Sequence, residues 1–349
     1  MSIRRLLLGG GGGSFVVQRW IPIATLLAYL DGGLTKDAGN PVLSKGSAGQ
    51  WDDYGVRELS PVIDENGLLV TEPDGLWAYY AGFPDATGAA PWQIGLAKST
   101  DDGATWTRYG SNPVVAPAGS GWYQNDVTQP SVVKLDDGSR VMLAAGRNSS
   151  DVDSIGCLSS ADGLTWVDEG QKLVLADFND GGATLTEIGV PSLIHRNAGD
   201  WLMLCEVLSN SATSAWRIYG ATASDPTGTW TPLNSGAPLM GPTGAGWEGR
   251  GVANPHVIEN TAGHYALIYN GIAASPLKWQ VGFAYGSDLT NLTRYSGNPI
   301  VSKGAPGQWD DDQTEASFLP KEPSRGNLRL WYQGFDDADG SMQIGLAET

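Results

Sequence analysis

The groups best able to do chemistry are carboxylates that recur at fixed distances from short proline-bearing segments. Four residues back from Pro130, Pro191 and their counterparts stand Asp126, Glu187, Gly251 and Asp312. Two residues back stand Thr128, Gly189, Ala253 and Thr314, with Glu58 in the first copy. Residues two apart on an extended chain share a face, so these acids can be aimed at one place. Two carboxyls in one desolvated site cannot both ionise without cost. One keeps its proton, and a protonated carboxyl beside an ionised one can protonate a leaving oxygen while its partner works opposite. Glu187 and Asp126 are the first candidates for that chemistry, with Glu58 or Asp53 on the opposing side. Arg250 and Glu315 are further ionisable groups placed to bind a ligand, and Trp122 and Trp247 offer flat apolar faces.

What positions these residues is an internal repeat. Gly39-Asn40-Pro41-Val42 recurs as Ser111-Asn112-Pro113-Val114, Gly236-Ala237-Pro238-Leu239 and Gly297-Asn298-Pro299-Ile300, with Gly170-Gln171-Lys172-Leu173 as a degenerate copy. Each unit then runs through a Trp-bearing loop (Gln50-Trp51-Asp52-Asp53, Gly121-Trp122, Gly246-Trp247, Gln308-Trp309-Asp310-Asp311) and three short apolar runs. It ends in turns such as Asp101-Asp102-Gly103 and Ala161-Asp162-Gly163. Four short strands per unit joined by Gly and Asp turns describe a propeller blade. Five inner strands, at Ser60-Pro61, Pro130-Ser131, Pro191-Ser192, Pro255-His256 and Ala316-Ser317, predict five blades and an all-β fold of four-stranded antiparallel sheets. The last unit stops after its third strand, so Asp37–Leu43 is expected to complete it and close the ring. The propeller is then one domain over 37–349, preceded by an arm over 1–36. Every tryptophan but Trp20 falls at a repeat-equivalent position, which assigns most of them to inter-blade contacts and leaves the loop tryptophans the better placed to meet a ligand.

Composition bounds the function. The 349 residues carry a net charge of −17, a field that repels phosphate backbones and anionic lipid, so nucleic-acid and membrane roles are disfavoured while neutral substrates and cations remain. There is no run of about 18 apolar residues to span a bilayer. Cys157 and Cys205 read as small buried hydrophobes, and His195, His256 and His264 form no zinc-type spacing. No cofactor is implied, although the runs Asp52-Asp53 and Asp310-Asp311-Asp312 could hold a structural calcium ion. Met1–Ser14 (MSIRRLLLGGGGGS) has a twin-arginine start, but Gly9–Gly13 cuts its apolar stretch short and no cleavage signal follows. It reads as a flexible arm leading into the apolar segment Phe15–Leu30. That segment is expected to anchor the chain in a larger assembly through residues 1–30, and location is otherwise open.

The blade count, the Asn-Pro-Val starts and the Ile-Gly-Leu-Ala strand with its Ser-x-Asp-Gly-x-x-Trp turn make Asp37–Thr349 resemble the five-bladed glycoside hydrolases of families 32, 43, 62, 68 and 130. That resemblance implies three carboxylates on the first three inner strands. Asp126 would tune the site, Glu187 would be the acid, and Asp53 or Glu58 would serve from blade one. In family 43 an Asp stands directly before the strand proline, where this chain reads Ser60, Gln129, Val190, Asn254 and Glu315. The turn motif also resembles the Asp box of the six-bladed sialidases, whose arginine triad would have to be built from Arg57, Arg147 and Arg250. The N-terminal arm resembles the attachment arms of phage structural proteins. Three functions follow: a retaining or inverting glycosidase, a propeller that recognises glycans without cleaving them, and a virion fibre, spike or tail component.

Overall fold

In the computed structural model, residues 22–85, 91–210, 214–261, 263–321 and 327–349 are described. They form a five-bladed β-propeller. The inner strands are Gly55–Pro61, Asp126–Lys134, Thr184–Asn197, Gly251–Thr261 and Gln313–Phe318. Each pairs antiparallel with a second strand, Gly75–Phe83, Arg140–Arg147, Asp200–Asn210, His264–Ile272 and Arg329–Phe335 respectively. Third strands follow at Gln93–Ser99, Asp153–Ser160, Ser214–Ala223, Trp279–Gly286 and Met342–Glu348.

Asn-Pro repeats finish the blades by pairing with the third strand. Asn112 accepts from Leu96 N and donates to Leu96 O, and Asn298 does the same with Phe283. Asn40 repeats this with Leu346 in the last blade, 306 residues away in sequence. Thr35–Lys36 also pairs antiparallel with Met342–Glu348. The N-terminal segment therefore completes blade five as expected, its pairing starting at Thr35. No raw third-strand edge is left there to recruit another chain.

A second ring of bonds ties the inner strands to one another. Ser60 accepts from Val132 N, Ser131 from Leu193 N and Ser192 from Val257 N. Blade five hands on to blade one through Ser317, but the donor is Leu59 N, because Pro61 stands where the others have an N–H. Blade four has His256 instead of serine. Burial pushes its pKa down to about 4, and the neutral ring's Nε2 lies 3.0 Å from Leu319 O.

The loop tryptophans lie flat over paired glycines of the second and third strands. Trp51 covers Gly82 and Gly95, Trp122 covers Gly146 and Gly156, Trp247 covers Gly271 and Gly282, and Trp309 covers Gly334 and Gly345. A Cβ on Gly156 would sit 2.2 Å from the Trp122 ring, so glycine is required there by close approach. Beside each of three rings a buried acid serves a tyrosine and a cation: Asp52 with Tyr80 and Arg108, Glu248 with Tyr269 and Arg294, Asp310 with Tyr332 and Lys36. Asp52 and Asp310 are thus occupied by protein partners. Among the described residues no group of three or more His, Cys, Asp or Glu could hold a metal.

Residues 1–21, including the Gly-rich arm, lie outside the described residues. The rest of the apolar segment forms a helix, Ile23–Gly32, whose Leu26 and Leu30 are buried with Ile268, Phe283 and Leu330 of blades four and five. No helix among the described residues is long and apolar enough to cross a membrane.

Candidate active site

Strand pairing sets the side chains of the central funnel in tiers. The rim tier is Gly55, Asp126, Glu187, Gly251 and Gln313, opposite Phe83, Arg147, Leu208, Ile272 and Phe335. Two residues on, the floor tier is Arg57, Thr128, Gly189, Ala253 and Glu315. Its second-strand partners are Ala81, Ala145, Glu206, Asn270 and Gln333. A β-bulge follows in every inner strand, and in four of them it forces Glu58, Gln129, Val190 and Asn254 to φ between 45° and 57°.

This register corrects a count made from the prolines. Blade one is out of step because Leu59, not Pro61, is the counterpart of Pro130. Glu58 therefore occupies the slot of Gln129 and Asn254, where Ser60 was expected, and Arg57 takes the level of Thr128. In blade five Glu315 and Gln313 stand where Thr314 and Asp312 were expected. Asp312 instead binds Lys278.

The floor is a buried charge cluster. Arg57 ion-pairs with Glu58 through Nε and with Glu315 Oε2 at 3.2 Å. Glu315 is held by more donors: Asn254 Nδ2 at 3.1 Å and Gln333 Nε2 at 2.5 Å reach Oε2, and Gln313 Nε2 at 3.3 Å reaches Oε1. Glu206 accepts from Asn254 N at 2.8 Å. Burial raises Glu58 to about 7, against the pull of Arg57, and raises Glu206 to about 8. Burial also raises Glu315, opposed by Arg57 and its amide donors. Three carboxyls share one guanidinium, and burial pushes all three towards the protonated form.

Above the floor opens a cavity of about 550 Å³. Its walls carry Asp126, Arg147, Asp153 and Glu187, together with Trp92, Trp216 and Trp279. Asp126 accepts from Trp92 N, and Arg147 donates to Asp153 at 2.9 Å while lying 3.8 Å from Asp126. Partial desolvation, with the Asp153 charge nearby, raises Glu187. Trp216 and Trp279 meet edge to face at 6.5 Å, and Trp92 stacks on Phe83 at 4.1 Å.

Of the residues proposed from sequence, the fold gathers Asp126, Glu187 and Glu315 around the cavity and puts Glu58 immediately beneath it. The others lie elsewhere. Asp53 accepts from Gly49 N within its own loop, and Arg250 is exposed outside the funnel. Trp122 and Trp247 are corrected to packing roles: their faces cover glycines, and Trp122 Nε1 donates to Asp168. The tryptophans that do reach the funnel, Trp92, Trp216 and Trp279, lie within two residues of the start of the third strands, where their recurrence conceals them. Spacing alone does not find Glu206. Its signal is a carboxylate inside the apolar run Trp201–Val207, at a level where other blades read Ala81, Ala145, Asn270 and Gln333.

Residues 59–232 match the family model described as the glycosyl hydrolases family 32 N-terminal domain. Solved structures share the architecture at low identity. A complex of BT0996 and RGII is 15% identical over 96% of each protein, with a TM-score of 0.70. A glycosyl hydrolase from Bacteroides ovatus is 18% identical over 90% of this chain and 93% of its own, at 0.64. A β-1,2-mannobiose phosphorylase from Listeria innocua, solved with β-1,2-mannobiose, is 13% identical over 90% and 96%, at 0.63. No curated protein matches the chain. The fold is therefore a propeller shared with solved glycoside hydrolases, and half of the chain resembles the family 32 N-terminal domain.

Proposed function

We propose that the funnel binds the end of a carbohydrate chain and cleaves its glycosidic bond, with Glu206 as the proton donor and Glu315 as its ionised partner. The observation that carries this reading is the unequal treatment of two carboxyls bridged by one residue. Asn254 gives its backbone N–H to Glu206 and its side-chain amide to Glu315, but Glu315 also receives Arg57, Gln333 and Gln313. Hydrogen bonds to the charged form favour ionisation, and burial with few donors favours the proton. The pair is thereby split into an acid and a base, the division glycoside hydrolysis uses. Trp92, Trp216 and Trp279 supply apolar faces for sugar rings, and Asp126 and Glu187 become acceptors for sugar hydroxyls.

A second reading has its own support. Asn270 and Gln333 stand at the level of Glu206 and capture the backbone N–H groups of Ala316 and Glu58, so Glu206 also does the structural work of an amide. On that reading the funnel recognises glycan without cleaving it. Glu206→Gln separates the two, because glutamine can keep the bond to Asn254 N. With a panel of aryl furanosides and pyranosides, the catalytic reading expects turnover reduced by about 10²–10⁴ with sugar binding retained. Unchanged turnover in the variant overturns it, and binding on a glycan array with no turnover by the wild type favours recognition alone.

A further inference from the structure

We infer that a small chamber beneath the funnel floor holds water and works as a proton port, through which Glu58 exchanges its proton with solvent on the face opposite the funnel. The part this gives Glu58 in turnover rests on the catalytic reading above; the chamber and its exchange do not.

Three cavities follow one another down the propeller axis. Gln129 and Asn254 line both the funnel and the chamber and so separate them. The chamber has a volume of about 30 Å³. His256 and Phe318 divide it from a cavity of about 20 Å³ on the far side, where the lining includes Asn66, His195 and Lys321 and where Asn66 is exposed. Of the floor carboxyls, Glu206 and Glu315 line the funnel, whereas Glu58 lines the chamber. A sugar in the funnel therefore does not face Glu58.

The chamber's lining suits water. Ser60, Ser131, Ser192 and Ser317 each accept a backbone N–H from a neighbouring blade, so each keeps its own O–H to donate. Acceptors are present as well. Gln129 interacts with Glu58 through its side-chain amide, yet Glu58 Oε2 and Asn254 Oδ1 are buried with no donor at hydrogen-bond geometry among the described residues. A water needs about 10–15 Å³ and two to four polar partners, so the chamber takes about two. A cation fits it less well, because Arg57 already pairs with Glu58 and no second carboxylate is among the lining residues. His256 stands where the other blades have serine. Its neutral ring gives Nε2–H to Leu319 O, which makes Nδ1 an acceptor between the chamber and the far cavity.

The exchange is a proton transfer alone. The Glu58 O–H bond breaks as a chamber water takes the proton, and that water passes one of its own protons towards the far side. Arg57 carries the result to the floor, since it pairs with Glu58 through Nε and with Glu315 through Nη2. Gln333 links the same two acids, accepting Glu58 N on Oε1 and donating Nε2 to Glu315. The charged groups that act on Glu58 are Arg57, Glu315 and Glu206. An ionised Glu58 competes with Glu315 for the guanidinium and helps Glu206 keep its proton, so Glu58 is a positioning residue rather than a catalytic one.

Infrared spectra of the full-length protein near pH 6 test the port. The protonated Glu58 carboxyl band is the one missing from Glu58→Gln, and transfer to heavy water should shift it within the mixing time. His256→Phe removes the imidazole but keeps a ring beside Phe318, and Ser192→Thr keeps the hydroxyl but adds a methyl to the chamber. In either variant exchange at Glu58 has to wait for local opening and should slow about tenfold or more, while Glu206 keeps the wild-type rate. Exchange at Glu58 as fast in these variants as in the wild type overturns the route, and so does a crystal structure of the wild type with a dry chamber. In turnover, Glu58→Gln should move the basic limb of kcat down by about one pH unit, and a limb that stays near 8 overturns the positioning role. Turnover unaffected by Glu206→Gln sinks the catalytic reading and leaves the infrared result to decide the port.

Discussion

Acids are buried in two kinds of place in this propeller, and the two are built differently. Beside the loop tryptophans each buried carboxylate has its own cation and tyrosine: Asp52 with Arg108 and Tyr80, Asp310 with Lys36 and Tyr332. On the funnel floor Glu58, Glu206 and Glu315 share Arg57. One arrangement is balanced in charge and reads as a fastening for the loop. The other lacks cations, so burial falls on the carboxyls, and a proton is the simplest way to neutralise them. A propeller can bury many acids at no functional gain; it is the deficit of positive charge that sets one group of them apart and carries the proposed acid–base role.

The contrast can be broken from either side. The largest effect is expected at the floor, where Glu206→Gln should lower turnover by about 10²–10⁴ while leaving the denaturation midpoint near the wild type. Trp122→Ala should do the reverse. Removing a ring that covers Gly146 and Gly156 is expected to cost about 3–5 kcal/mol in urea unfolding, with kcat of the surviving folded protein unchanged. At a loop acid, Asp52→Asn keeps an acceptor for Tyr80 but gives up the charge opposite Arg108. A loss of about 1–3 kcal/mol is expected, again with turnover preserved. If Asp52→Asn lowered turnover as thoroughly as Glu206→Gln, the two kinds of acid would not differ in the way described. Trp279→Ala, on the funnel wall, should raise KM about tenfold, equivalent to about 1.4 kcal/mol, with little change in stability.

The pH dependence sharpens the same comparison. Glu206 must hold its proton to act, so turnover should fall as pH rises through about 8. The acidic limb belongs to Glu315 and should lie above the ordinary glutamate range. Stability should follow a matching sign. Glu58 and Glu206 have folded pKa values of about 7 and about 8, above the ordinary 4.5. The native state therefore binds more protons than the unfolded state between those limits, and stability is lost as pH rises from about 5 to about 8. Thermal unfolding across that range checks it. Glu206→Gln should flatten part of the slope, and Asp52→Asn should not.

How much of this can be read from the chain varies with the level of structure. The repeats of Asn-Pro and Gly-Trp announce the blades because each is a local device: an asparagine that pairs with a third strand, an indole that needs glycines beneath it. The closing segment is readable for the same reason, Asn40 being one more copy of Asn112 and Asn298. Position in the funnel is harder. Asp126 and Glu187 are found because proline spacing holds in blades two and three, while in blade one Pro61 lies two residues beyond the place Leu59 takes, which hides the equivalence of Glu58 and Gln129. The tryptophans mislead, since recurrence is shared by Trp122, which covers glycines, and Trp279, which faces the cavity.

Glu206 marks the boundary between the two sources of knowledge. Local order, blade number and ring closure were written in the chain, because backbone pairing and turn chemistry act between neighbours and repeat with them. Which carboxyl keeps a proton was decided only when five sheets closed and brought Arg57, Glu206 and Glu315 together from blades one, three and five. Desolvation and charge sharing are properties of that enclosure, and no single repeat contains them.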